Sequence, residues 1–143
     1  MAMASEEQLR CERECARLCN DFIYTIDRRQ YDAFIDLFTS DALLDRAGAV
    51  FNGHDGLRQF CEARPIDRYV RHACSNIRVD MTGPTTATGA SCVTLFQALA
   101  LPDAALPLKP TAAPLFAEYV DDYVLTSSGW KFMQRKIIPV FVP

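Results

Sequence analysis

The sequence is poor in the residues on which metal sites depend. It has only two histidines, His54 and His72, and its six cysteines form no Cys-x-x-Cys pair. Structural zinc sites usually draw four ligands from closely spaced cysteines and histidines. We therefore expect no metal ion.

Long apolar runs and dense basic stretches are also lacking. No run approaches the roughly 20 apolar residues that a transmembrane helix needs. Residues 1–7 lack the positive start and apolar centre of a signal peptide. The formal net charge is −3, with no broad basic stripe. We therefore expect a cytoplasmic protein that has neither a membrane nor a nucleic acid as its partner.

What is present suits one globular unit. The chain has 143 residues, and 50% of them are hydrophobic, so a sizeable core is possible. We expect a single domain over residues 1–143. Cys11, Cys15 and Cys19 lie four residues apart, which is the spacing of one helix face. Buried, reduced thiols are favoured over a shared metal there, because free cysteine is among the most buried residue types.

The order of elements predicts helices first and strands afterwards. Ser5 and Gln8 have the spacing of a capping box, which begins a helix that extends to about Arg28. Further helices are expected over residues 31–38 and 54–63, with a short hairpin over residues 42–51 between them. Long strands are expected over residues 69–80, 85–101, 115–126 and 130–142. Proline has no N–H for a ladder, so Pro102 ends the second of these strands. This order favours an α+β fold.

Several phrases of the sequence resemble a known family. They lie, in order, at residues 26–32, 38–42, 51–53, 72–79, 119–123 and 129–135. Together they resemble the SnoaL-like family of the nuclear transport factor 2-like superfamily, over about residues 11–140. The resemblance implies a cone-shaped barrel in which N-terminal helices pack into a strongly curved, mostly antiparallel sheet around an apolar pocket. Relatives include scytalone dehydratase, bile-acid dehydratase, lindane dehydrochlorinase, ketosteroid isomerase and polyketide cyclases.

The resemblance also implies a catalytic site. In the dehydratase and dehydrochlorinase members, an aspartate near the end of the first helix pairs with a histidine on the first long strand. The matching phrases place Asp27 and His72 in those roles, and Arg135 at the position of an arginine that assists. A neutral histidine can remove a proton, a carboxylate can orient it, and an arginine can stabilise developing charge. Such a site needs no metal and no organic cofactor.

Simpler interpretations of these residues stay open. Asp27 could pair with Arg28 or Arg29, although a carboxylate near a helix C-terminus opposes the macrodipole. Arg135 is expected to share a strand face with Met133 and Ile137, so it needs a partner. That partner could be Asp121 or Asp27, in a purely structural ion pair. His54, at a helix start, is expected at the surface.

Three aromatic residues are candidates for binding a substrate. Phe22 stands five residues before Asp27, where relatives carry a tyrosine or a lysine. This departure predicts a more apolar pocket. It also argues against the inference that the chain acts on the same substrate as a relative. Tyr24 and Tyr123 are candidates for orienting a carbonyl or hydroxyl group.

The favoured function is a cofactor-independent lyase or isomerase that acts on a small hydrophobic, cyclic molecule, with His72 as base. The alternative is a non-catalytic ligand-binding or scaffold subunit, like the small subunits of ring-hydroxylating dioxygenases. A polyketide cyclase acting on a larger substrate is a third interpretation. Apolar residues on both faces of the strand segment 93–96 predict that another copy covers the sheet, in a homodimer or homotrimer.

Overall fold

The computed structural model describes residues 3–143, and its helices precede its long strands as expected. The helices are α1 (Glu6–Asp27), α2 (Tyr31–Ile35) and α3 (Gly53–Glu62). The strands are β1 (Phe38–Arg46), β2 (Ala49–Asn52), β3 (Arg68–Gly83), β4 (Thr86–Leu99), β5 (Leu115–Thr126) and β6 (Gly129–Phe141). None of the helices in this part of the chain is long and apolar enough to cross a membrane.

Helix α1 begins at the predicted capping box. The Ser5 hydroxyl accepts a hydrogen bond from the Gln8 backbone N–H, and the Gln8 side chain accepts one from the Ser5 backbone N–H. One face of the helix is buried, and it includes the three early cysteines, each of which is fully inaccessible to solvent. No disulfide joins the cysteines of the described residues. The expectation that these three thiols are buried is therefore confirmed.

The six strands form one mixed sheet in the order β2-β1-β6-β5-β4-β3. Strands β1 and β6 run parallel, and the other four pairings are antiparallel. Strands β2 and β3 are the two edges and do not pair with each other within residues 3–143, so the sheet is not closed. The α+β fold with N-terminal helices and a mostly antiparallel sheet is confirmed, as an open sheet rather than a closed barrel.

Aromatic rings fill the space between the helices and the sheet. The Phe22 ring of α1 lies 4.9 Å from that of Phe34 and 5.5 Å from that of Tyr119. The Phe38 and Phe132 rings, from the parallel pair β1 and β6, lie 5.0 Å apart. These contacts hold the C-terminal half of α1 against the sheet, and they fix the position of its last residue, Asp27.

The start of β1 differs from the prediction. Residues 31–38 were expected to be helical, but α2 ends at Ile35 and Phe38 already belongs to β1. Phe38 pairs with Phe132, and the Phe132 backbone N–H donates to the Leu37 carbonyl. Pairing with β6 therefore overrides the helical pattern. The register between β1 and β6 is irregular from Phe38 to Leu43, which accommodates the polar residues 39–41.

Two irregularities in the long strands redirect side chains. Strand β3 has one extra residue between Ser75 and Arg78, and Asn76 adopts a left-handed φ of 54° there. Strand β6 shifts register opposite residues 122–123. Arg135 is consequently buried, whereas Met133 is 45% exposed, so the prediction that they share a face is wrong. Met133 is the extra residue of a bulge between Phe132 and Gln134, which breaks the strict alternation of a strand.

Candidate active site

Asp27 and His72 contact each other directly. The Asp27 Oδ1 atom lies 2.5 Å from Nδ1 of His72, and Asp27 Oδ2 accepts a hydrogen bond of 2.8 Å from the His72 backbone N–H. The side chains are only 3% and 11% exposed. One carboxylate therefore fixes both the backbone and the ring of the histidine.

The positions of the two residues explain why the pair forms. Asp27 is the last residue of α1, where its negative charge opposes the helix macrodipole. Two N–H donors from β3 compensate that charge. Because the carboxylate accepts the proton on Nδ1, neutral His72 carries its lone pair on Nε2. That nitrogen is the one available to act as a base.

A cavity of about 210 Å³ adjoins His72. Its wall is mostly apolar, with Phe22, Leu95, Tyr119 and Ile137 among the lining residues. This volume lies below the roughly 300–1,000 Å³ of pockets for drug-sized ligands. The cavity therefore suits a small, largely apolar molecule placed against the histidine.

Three arginines also line this cavity: Arg46, Arg64 and Arg68. Sequence patterns do not single them out, because a charged residue beside a helix end or a turn is ordinarily solvated. Burial lowers the pKa of Arg64 and of Arg68 from the ordinary value. The only signal in the sequence is the concentration of arginines around the segment that links α3 to β3.

Arg135 lies in a separate buried network. Its Nε and Nη2 atoms donate to the two oxygens of Asp121 at 2.8 and 2.7 Å, and both side chains are fully buried. The guanidinium carbon lies 3.9 Å from the Tyr119 ring centroid and 4.4 Å from that of Phe22. Burial alone would lower the pKa of Arg135, but the Asp121 carboxylate raises it above the ordinary value. Arg135 is therefore a fixed positive charge behind the cavity wall.

Tyr123 belongs to the same network. Its hydroxyl donates to Asp121 Oδ2 at 2.7 Å and lies 3.2 Å from the Cys19 sulfur. Burial is the main reason that the pKa of Tyr123 is raised. Neither Tyr123 nor Arg135 is among the residues that line the cavity beside His72.

The remaining predicted residues have mixed placements. Phe22 lines the cavity as expected. Tyr24 does not: its side chain is 51% exposed, and the guanidinium of Arg28 lies 3.9 Å above its ring. Tyr24 and Phe22 are two helical positions apart, so they face different directions. His54 is half-buried rather than at the surface, and its Nε2 lies 2.9 Å from the Phe38 carbonyl oxygen.

A comparison with protein-family models identifies the family of the chain. The model of a SnoaL-like domain matches residues 7–136. The chain belongs to this SnoaL-like family. A comparison with curated proteins gives no match.

Solved structures share the fold of this SnoaL-like domain at low sequence identity. A putative scytalone dehydratase from Novosphingobium aromaticivorans is 23% identical, with a TM-score of 0.75 over 90% of this chain and 83% of that one. A type 2 hexachlorocyclohexane dehydrochlorinase is 18% identical, with a TM-score of 0.70 over 92% and 96%. A ketosteroid isomerase-like protein from Erwinia carotovora atroseptica is 15% identical, with a TM-score of 0.76 over 97% and 100%. At these identities the likeness is one of fold.

The contact between Asp27 and His72 predicts the tautomer of the histidine. In the His54→Gln background, which leaves His72 as the sole histidine, ¹⁵N NMR should show neutral His72 protonated at Nδ1. Asp27→Asn offers one acceptor oxygen to two N–H donors, so the population should shift toward the form protonated at Nε2. Neutral His72 carrying its proton on Nε2 in the presence of Asp27 would contradict the assignment.

The buried ion pair predicts a large stability effect. Arg135→Met leaves the Asp121 carboxylate buried without its partner, which should lower the free energy of unfolding by about 3–5 kcal/mol. Combining it with Asp121→Leu should recover part of the loss, because no charge then stays buried. Urea unfolding measures both. Arg58→Met, which removes an exposed ion pair with Asp32, is the matched control and should unfold nearly as the wild type. A urea midpoint of Arg135→Met equal to that of Arg58→Met would contradict the predicted contribution of the buried ion pair.

Proposed function

We propose that this SnoaL-like domain is a cofactor-independent lyase or isomerase that removes a proton from a small hydrophobic, cyclic molecule. The observation that carries the proposal is the double contact of the Asp27 carboxylate with His72 at the wall of an apolar cavity. A histidine held in one tautomer with its other nitrogen available matches the requirement for a general base.

The proposed reaction begins with transfer of a C–H proton to Nε2 of His72. The electron pair of that bond then either expels a leaving group from the neighbouring carbon or delocalises, and the resulting carbanion takes the proton back at another carbon. The first course is an elimination, and the second is an isomerisation. The Asp27 carboxylate stabilises the imidazolium that forms, since it already accepts the proton on Nδ1.

The surroundings of the site support carbanion or enolate chemistry. Arg64 and Arg68 line the cavity with His72, and their charges would stabilise a developing negative charge. The apolar wall keeps water away, which strengthens such interactions. Arg135 would act as a positioning residue, because its contacts hold the rings of Phe22 and Tyr119 rather than the substrate.

The proposed substrate-binding residues follow from the lining of the cavity. Phe22 stays among them as part of the apolar wall. Tyr24 and Tyr123 are not proposed as substrate-binding residues. Tyr24 is half exposed, and the Tyr123 hydroxyl donates to Asp121. The names of the relatives agree with the reaction class, since dehydratases and dehydrochlorinases perform eliminations. A non-catalytic ligand-binding role is the competing proposal.

Turnover of hydroxylated or halogenated cyclic compounds tests the proposed function. His72→Gln should lower kcat/KM about 10²–10⁴-fold, the range for loss of a general base. Asp27→Asn should also lower it, because the ring loses its orienting carboxylate. His54→Gln, which keeps a donor near the Phe38 carbonyl, is the control and should keep its rate. Undiminished turnover by His72→Gln would rule out the mechanism, and binding without turnover of any such compound would favour the ligand-binding role.

We also propose that the chain assembles as a homodimer or homotrimer through the outer face of the sheet. Val120 of β5 and Ile138 of β6 are 46% and 38% exposed there, and Phe141 is 68% exposed. Sedimentation equilibrium should give two or three times the chain mass of 16.0 kDa. A monomer at micromolar concentration would contradict this proposal. Val120→Glu should shift the assembly toward monomers, because it places a charge in the interface.

A further inference from the structure

The cavity beside His72 has positive charge with no matching carboxylate in its wall. Arg46, Arg64 and Arg68 all contribute to the lining, and no aspartate or glutamate does so. The protein as a whole is acidic, with a formal net charge of −3. The concentration of arginines is therefore a local feature of this site rather than a consequence of composition.

Neither Arg64 nor Arg68 forms an ion pair within the described residues, and both are half-buried, whereas Arg46 is exposed to solvent. Arg68 Nε donates to the side-chain oxygen of Gln97 at 2.9 Å, which is a neutral acceptor. Arg46 lies over the Phe60 ring at 5.9 Å. Arg64 has a buried Nε without a hydrogen-bond partner in residues 3–143. A guanidinium that is partly removed from water without an anion costs free energy.

The nearest carboxylate of the site is already engaged. Asp27 lies with Arg64 and Arg68 around an adjoining cavity of about 210 Å³. Both Asp27 oxygens, however, accept hydrogen bonds from His72. The other arginines of that cavity bind neutral oxygens: Arg29 donates to the Pro65 carbonyl at 2.6 Å. The charge of Asp27 favours the charged form of Arg64, but no described carboxylate forms an ion pair with Arg64 or Arg68.

We propose that the ligand of this site is an apolar carboxylic acid whose carboxylate binds Arg64 and Arg68 while its ring fills the apolar cavity. The inference rests on the proposed function, whose substrate class it narrows. A guanidinium presents its N–H groups as a planar fork that matches a carboxylate in two parallel hydrogen bonds. The two arginines and His72 line one cavity. A ring held by its carboxylate therefore presents its own C–H bonds to the histidine.

A matched pair of probes tests the charge requirement. 2-Naphthoate and the isosteric neutral 2-naphthamide differ in the anion and share the two-ring body. Isothermal titration of the 143-residue protein should give a Kd at least about tenfold lower for the acid, since a guanidinium binds a charged acceptor more strongly than a neutral one. Added NaCl should weaken binding of the acid and leave that of the amide nearly unchanged.

Variants assign the effect to the arginines. Arg64→Met and Arg68→Met should each weaken the acid about tenfold and leave the amide nearly unchanged. Arg64→Lys keeps the charge without the fork and should give an intermediate Kd. Arg58→Met, which removes an exposed arginine outside the cavity lining, is the matched control and should bind both probes as the wild type does. Circular dichroism checks that each variant is folded.

The outcomes separate this inference from the proposed function. His72→Gln should still prefer the acid, because it removes the base and keeps both arginines. Equal affinity for the two probes, failure of both to bind, or an equal loss of both in Arg64→Met would overturn the carboxylate proposal. Those results say nothing against His72 as base, which turnover by His72→Gln tests independently.

Discussion

The hydrogen bonds of a single carboxylate join the first helix to the first long strand. Asp27 stands at the C-terminal end of α1, where the helix dipole disfavours a negative charge, and both of its oxygens bind His72. The backbone N–H that donates to Asp27 belongs to β3, so the contact fixes the helix end relative to the sheet. The same contact fixes the imidazole ring. The contact of the helix end with β3 and the orientation of the imidazole ring therefore depend on the same pair of residues.

The Asp121 carboxylate is also buried, but its partners differ from the histidine that Asp27 binds. Asp121 accepts two hydrogen bonds from Arg135 and one from Tyr123, so both of its oxygens face fixed donors. None of Asp121, Arg135 and Tyr123 lines the cavity beside His72. This network stabilises the packing of β5 and β6 beneath the rings of Phe22 and Tyr119. In contrast, the partner of Asp27 keeps one ring nitrogen that no residue of the described chain occupies.

Local patterns predicted most of the elements because each depends on short-range chemistry. The capping box at Ser5, the four-residue spacing of the cysteines and the limits of β5 all follow from neighbouring residues. The early end of α2 and the burial of Arg135 do not, because a parallel pairing at Phe38 and a bulge near Met133 decide them. The pairing of Asp27 with His72 came from family resemblance. The arginines of the cavity were missed because their burial depends on which segments meet around α3 and β3.

The distribution of charge explains how one small site can hold a base and several cations together. If an oxygen of the Asp27 carboxylate formed an ion pair with Arg64 or Arg68, it would offset that positive charge. The hydrogen bond that orients the His72 ring would then be weaker. Both of its oxygens accept hydrogen bonds from His72 instead, so the imidazolium of the proposed proton transfer would already have a carboxylate as its partner. On the carboxylate proposal, an entering anion would give Arg64 and Arg68 the ion pair that the described residues do not supply, which would favour the occupied cavity. In the proposed site, ligand binding and proton transfer would therefore depend on separate charges, and each could be altered without removing the other.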